Sequence, residues 1–202
     1  MTPEQVSELM VQIWEGPVAR TYLRGELCSK VNLQAEIYRH FQALNLPDLK
    51  IWFSVPLVFP PFLREEYLNW RLYRLKKALD GQVIDMVVSE GTDILMIGEL
   101  NFDPGGYGDY RKDMKRLCGL AQLAGEGILY ISRTPFTGQV DDGLPFLLHE
   151  ELLTTYMVIN QKASMGLELN TLKKAYTGIQ FPSSFLHLKA AVQEDKVLFG
   201  HK

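Results

Sequence analysis

"GQVIDMVVSEGTDILMIGELNF", residues 81–102, sets the reading of the rest of the chain. Two runs of strand-forming residues, about 82–88 and 93–102, flank the turn residues "SEGT", which predicts a hairpin. Each run carries a carboxylate, Asp85 in the first and Glu99 in the second, although acids are depleted in strands and costly to bury. Neither run alternates cleanly between polar and apolar. Both read as strands buried on two faces, where a charge needs a partner or a metal. Asp85 shares a strand face with Val83 and Val87, and Glu99 with Ile97 and Asn101. A register that sets Asp85 opposite Glu99 or Ile97 brings both acids to one face, and a slip of one residue parts them. The sequence is compatible with either, so a solvated hairpin face stands beside a metal site as a reading of the pair.

Upstream, Thr2-Pro3-Glu4-Gln5 gives an N-cap, a proline at N1 and a glutamine at N3. Val6, Leu9, Met10, Ile13 and Trp14 then recur at helical spacing. A second helix follows Asn32, with Leu33, Ile37, Phe41 and Leu44 in one stripe, ended by Asn45-Leu46-Pro47. Glu36 borders that stripe, about 60° from Leu33 at the ~100° helical step. Residues 49–59 read as a strand with Ile51, Phe53, Val55, Leu57 and Phe59 on one face, and Pro56 marks a bulge, an edge or a break. A helix over 63–79 turns Leu68, Leu72, Leu75 and Leu79 inward and carries Arg71, Arg74, Lys76 and Lys77 among Trp70 and Tyr73.

Downstream, the loop "DPGGYG" leads into a helix beginning near Asp109, and "GILYISR" (127–133) reads as a strand. The tail is read as a loop (134–145), a short helix near 146–152, a strand over 154–159 and a final helix or two in 167–198. The order predicts a single α/β (α+β) domain over 1–202, a mixed central sheet flanked by helices.

Two facing carboxylates and the carbonyl of Leu100 would offer hard oxygen ligands of the kind that Mg²⁺ or Mn²⁺ prefers. An Asp in one strand, a Glu-x-x motif in the next, then a helix and another strand resemble the PD-(D/E)XK superfamily of restriction-endonuclease-like nucleases. The resemblance covers a core of roughly 30–133, with 134–202 as a C-terminal extension. It implies Mg²⁺- or Mn²⁺-dependent phosphodiester hydrolysis of DNA. Asp85, Glu99 and the Leu100 carbonyl would hold the metal, and Glu36 of the leading helix would assist. The motif lysine falls at Asn101, which donates hydrogen bonds but carries no charge. Lys112 or Lys115 of the following helix would replace it, with Asn101 positioning water. The lost lysine also raises a competing reading, a catalytically degenerate relative that acts as a binding or interaction module. A third is an unrelated α+β protein with a chance acid pair.

Composition sets the frame for these readings. The 202 residues are 47% hydrophobic and 22% charged, as in an ordinary globular domain. No run of about 18 apolar residues is present, so no membrane partner is expected. The polar start "MTPEQVSELM" lacks a signal-peptide pattern, and Cys28 and Cys118 have no metal or disulfide spacing, so a cytoplasmic location is expected. The net charge of −3 argues against a general nucleic-acid coat protein. The basic groups at 64–77 and at Arg111, Lys112, Lys115 and Arg116 would form a local positive rim suited to DNA, unless each is only a solvated helix face. "DPGGYG" lacks the Gly-Lys-Ser/Thr ending of a phosphate loop, and "HEELL" (149–153) has Leu153 where a zinc-protease helix needs its second His. Residues 134–202 would extend the sheet, shape the cleft or make a homodimer contact.

Overall fold

A computed structural model describes residues 1–58, 69–79, 81–91, 93–103, 107–125, 130–131, 147–160, 184–193 and 196–201. Helix α1 (Pro3–Ile13) begins with the expected capping box, the Thr2 amide donating to Gln5 Oε1 at 2.9 Å and the Gln5 amide to Thr2 Oγ1 at 3.4 Å. The helix does not stop there. Trp14–Val18 winds on as a π-turn containing Pro17, and α2 (Ala19–Leu23) continues it. Proline has no amide to close an ordinary helical turn, and the wider winding absorbs that loss.

Helix α3 (Lys30–Ala43) starts three residues before the sequence suggested, because the Ser29 hydroxyl caps it by accepting from the Asn32 amide at 3.2 Å. It ends at Asn45, whose φ of 51° is left-handed. Just before α3, the exposed Cys28 thiol donates to Asn32 Oδ1 at 3.0 Å.

Strands β1 (Leu49–Val58), β2 (Val83–Glu90) and β3 (Asp93–Phe102) form an antiparallel meander. Between β1 and β2 lies α4 (Trp70–Leu79), which starts where Asn69 Oδ1 accepts from the Leu72 amide at 3.0 Å. The rest of the helix expected over 63–79 lies outside the described residues. After β3, α5 (Tyr107–Gly125) crosses over the sheet, as a parallel connection requires.

The later chain departs from the sequence reading. Of the strand expected at 127–133, the described residues form β4 (Tyr130–Ile131), which pairs with Leu57–Val58 of β1, and the rest lies outside the described residues. The strand that runs parallel to β3 is β5 (Leu147–Asn160), which absorbs the expected short helix near 146–152. The expected terminal helices give way to β6 (Phe185–Gln193), parallel to β5, and β7 (Lys196–His201), antiparallel to β6. Residues 167–183 of that expectation lie outside the described residues. Among the described residues, six strands thus form a mixed sheet in the order β1-β2-β3-β5-β6-β7, and β4 continues it beyond β1.

Helices cover both faces. Val6, Met10, Leu33 and Ile37 of α1 and α3 pack with Met86, Leu100 and Met157 on one side. Leu72 and Leu79 of α4 and Met114, Leu117 and Leu120 of α5 pack with Val87, Ile97 and Tyr156 on the other. Cys118 of α5 is buried, which pushes its thiol up to about 12. The single apolar face expected for β1 is split instead: Leu49 and Ile51 enter the first core, Val55 and Leu57 the second. Between them stands Ser54, with φ 56°, a left-handed conformation that turns the strand over. In β2, Ile84 and Met86 likewise part to opposite cores, and Asp85 stands at the changeover.

Candidate active site

The β2–β3 register answers the question of the acids. Val87 pairs with Ile97 and Met86 with Gly98, so the next step sets Asp85 across from Glu99. The regular ladder stops at that step. On the other side of β2, the β1 register sets Ser54 across from Asp85, and that pair too is missing. Asp85 therefore sits at an interruption of the β1–β2 ladder, which resumes at Val55 and Ile84, and at the end of the β2–β3 ladder. The Leu100 amide, which points toward β2, takes the Asp85 side chain as its acceptor, donating to Oδ2 at 2.9 Å. A residue's N–H and C=O point to the same side of a strand, so the Leu100 carbonyl faces the same opening.

Cations come from both layers. Lys30, the first residue of α3, sets its ammonium 2.6 Å from Asp85 Oδ2. Arg116 of α5 donates from Nη2 to Glu99 Oε2 and lies 4.0 Å from Asp85 and 3.9 Å from Asp113. Asn101 donates to Asp113 Oδ2 at 2.7 Å. Three carboxylates thus meet two cations. Glu99 is fully buried, and its Oε1 has no hydrogen-bond donor.

The electrostatics follow from that placement. Burial, then the Asp85 charge opposite, push the Glu99 carboxyl well above the usual range, against the pull of Arg116. Burial also raises Asp113, opposed by Asn101 and Arg116. For Arg116, burial works against the charge but is outweighed by Glu99, Asp85 and Asp113, so its pKa rises.

The residues singled out from the sequence fare differently. Asp85, Glu99 and Leu100 come together. Lys112 and Lys115 do not reach the acids: both are exposed on α5, and Arg116 is the residue of that helix that turns inward. Asn101 engages Asp113 rather than the facing pair. Glu36 belongs to another cluster, where its Oε1 accepts from Thr21 Oγ1 at 2.7 Å and Arg39 Nη2 at 2.8 Å, with His40 Nε2 at 2.9 Å. Burial pushes Glu36 up, but the hydrogen bonds from Arg39, Thr21 and His40 win and hold it at about 2. Lys30, Asp113 and Arg116 were not singled out as site residues. The spacing of Asp113 and Arg116, three apart beside the apolar stripe of α5, is the one signal that could have found those two.

Among the described residues, no group of three or more His, Cys, Asp or Glu side chains is arranged to hold a metal ion. None of their helices is long and apolar enough to cross a membrane. No protein-family model, no curated protein and no solved structure matches this chain.

Proposed function

We propose that the chain is a restriction-endonuclease-like (PD-(D/E)XK) phosphodiesterase that hydrolyses DNA with Mg²⁺ or Mn²⁺. The observation that carries the proposal is the facing of Asp85 and Glu99 at the end of the β2–β3 ladder, with Glu99 Oε1 buried and without a donor. A cation between the two would meet that oxygen and offset the mutual repulsion of the pair. The order of elements also supports the family: a helix, an antiparallel three-strand meander bearing the acids, a crossover helix and a strand parallel to β3.

Asp85, Glu99 and the Leu100 carbonyl would hold the metal. When bound, that ion lowers the pKa of water and stabilises charge on the phosphate. The chain's own residues supply the rest. Lys30 takes the part of the missing motif lysine, its half-exposed ammonium orienting the attacking water and offsetting charge on the phosphorane. Arg116 keeps the Glu99 carboxyl aligned by its hydrogen bond. Asn101 holds Asp113 and does not act on the water.

The test pairs binding with turnover. Calorimetric titration with Mn²⁺ should show one site that Asp85→Asn removes, and Glu99→Ala should abolish cleavage of plasmid DNA in Mg²⁺ and in Mn²⁺. Unchanged cleavage by Glu99→Ala rules the assignment out.

One observation favours a second reading. The Arg116 guanidinium lies between Asp85 and Glu99, the two carboxylates that a metal would need, and near Asp113. In a degenerate relative that ion pair would replace the metal permanently, leaving a binding or interaction module. This reading expects no site-specific Mn²⁺ binding by the natural chain and its appearance in Arg116→Met.

A further inference from the structure

Helix α4 divides its two sides sharply. Leu72 and Leu79 are buried, and Leu75 packs on α5 at Gly119, where a Cβ would lie 3.3 Å from Leu75 Cδ2. On the outer side, Trp70 and Arg74 stand one helical turn apart, the guanidinium carbon 5.3 Å from the indole centroid. Lys77, also exposed, continues the stripe. Trp70 is 70% exposed, unusual for a residue that is highly buried on average. The ten residues of α4 include four basic and no acidic ones, in a chain of net charge −3.

We propose that the Trp70–Arg74–Lys77 stripe is a docking surface for single-stranded DNA. The charge selects a polyanion, and the open indole face selects one whose bases are free to stack. A duplex keeps its base faces stacked inside and would meet only the cations. A lipid surface needs the apolar side of the helix, and that side is committed to the core. The inference deepens the phosphodiesterase reading, on which it rests, by naming the substrate class. Helix α5 connects the two places, because Arg116 lies one turn before Gly119.

The experiment uses the full chain in EDTA, so that binding is read without chemistry. Fluorescence anisotropy follows a labelled oligo-dT of about 16 nucleotides, the upper site size for such grooves. Matched duplex DNA, oligo-rU and phosphatidylserine vesicles serve as competitors. Oligo-dT should bind tightest. Trp70→Ala should weaken it about tenfold, the loss expected for one stacked base, and Trp70→Phe should restore most of it. Arg74→Gln and Lys77→Gln should each lower the salt slope by about 0.7. Unchanged affinity in Trp70→Ala overturns the proposal, as does equal or tighter binding of the duplex, the RNA or the vesicles. Failure of the Mn²⁺ titration leaves this result intact, and loss of oligo-dT binding leaves the metal test intact.

Discussion

Replacing Arg116 with Met keeps much of the length of the side chain and removes the guanidinium shared by Glu99, Asp85 and Asp113. Removing one partner of a buried ion pair costs about 3–5 kcal/mol when the other stays charged. Glu99, with no exposed surface, is the group left uncompensated. It can escape by taking up a proton, since burial and Asp85 already raise its pKa above 4.5 and the opposing pull of Arg116 is gone. The folded variant then binds more protons than the unfolded chain, so its stability falls as pH rises. The benefit is fully present below the unfolded value near 4.5 and is lost as pH climbs through the folded one, with a slope of at most about 1.4 kcal/mol per pH unit. Urea unfolding of Arg116→Met should show a loss of about 3 kcal/mol at pH 8 and about 1 kcal/mol at pH 5. Adding Glu99→Gln should recover about 2 kcal/mol of the loss at pH 8, the coupling expected of residues in one network. A penalty that does not change with pH, or a double variant no more stable than Arg116→Met, would refute the reasoning.

Glu36 should show the opposite sign. Its folded value of about 2 lies below the unfolded 4.5, so its contribution is present above pH 4.5 and disappears as pH falls toward 2. Glu36→Gln should cost about 1–2 kcal/mol at neutral pH, discounted for the exposure of Arg39, and little near pH 2; chemical denaturation across that range tests it. At Gly98, a Cβ would lie 2.9 Å from Met86 Cε and 3.4 Å from the Thr155 carbonyl. Because the Met86 tip can swing aside, Gly98→Ala should cost only about 1 kcal/mol and Gly98→Val at least twice that, measured by thermal unfolding. Lys30→Met should lower DNA cleavage about 10²-fold or more while leaving Mn²⁺ binding in place; cleavage at the natural rate would remove Lys30 from the mechanism.

The hairpin was legible because its signals are local. The "SEGT" turn and the apolar runs bounded β2 and β3 to within about two residues, and the Thr2–Gln5 box marked the first helix. The meeting of Asp85 with Glu99 was legible only as one of two registers, since a single slip exchanges every side chain between faces. The turnover of β1 at Ser54 left no trace, because serine gives no hint of a left-handed backbone. "FLHLKAAV" of β6 suggested a helix, being rich in Leu, Ala and Lys. Leu186, Leu188 and Ala190 do alternate with His187 and Lys189 and place one face on the core, a short period-2 signal that the helix-forming composition outweighed. Lys30 and Arg116 reach Asp85 from helices on opposite faces of the sheet, a meeting set by packing that no spacing along the chain encodes.

The contrast between the two cysteines has a practical use. Cys118 is buried and its thiol resists ionisation up to about 12, whereas Cys28 is exposed two residues before Lys30. A maleimide dye should therefore attach at one position without mutagenesis, at the doorstep of the ammonium that pairs with Asp85. The chain carries its own mounting point for a fluorescent reporter beside the Asp85 cluster.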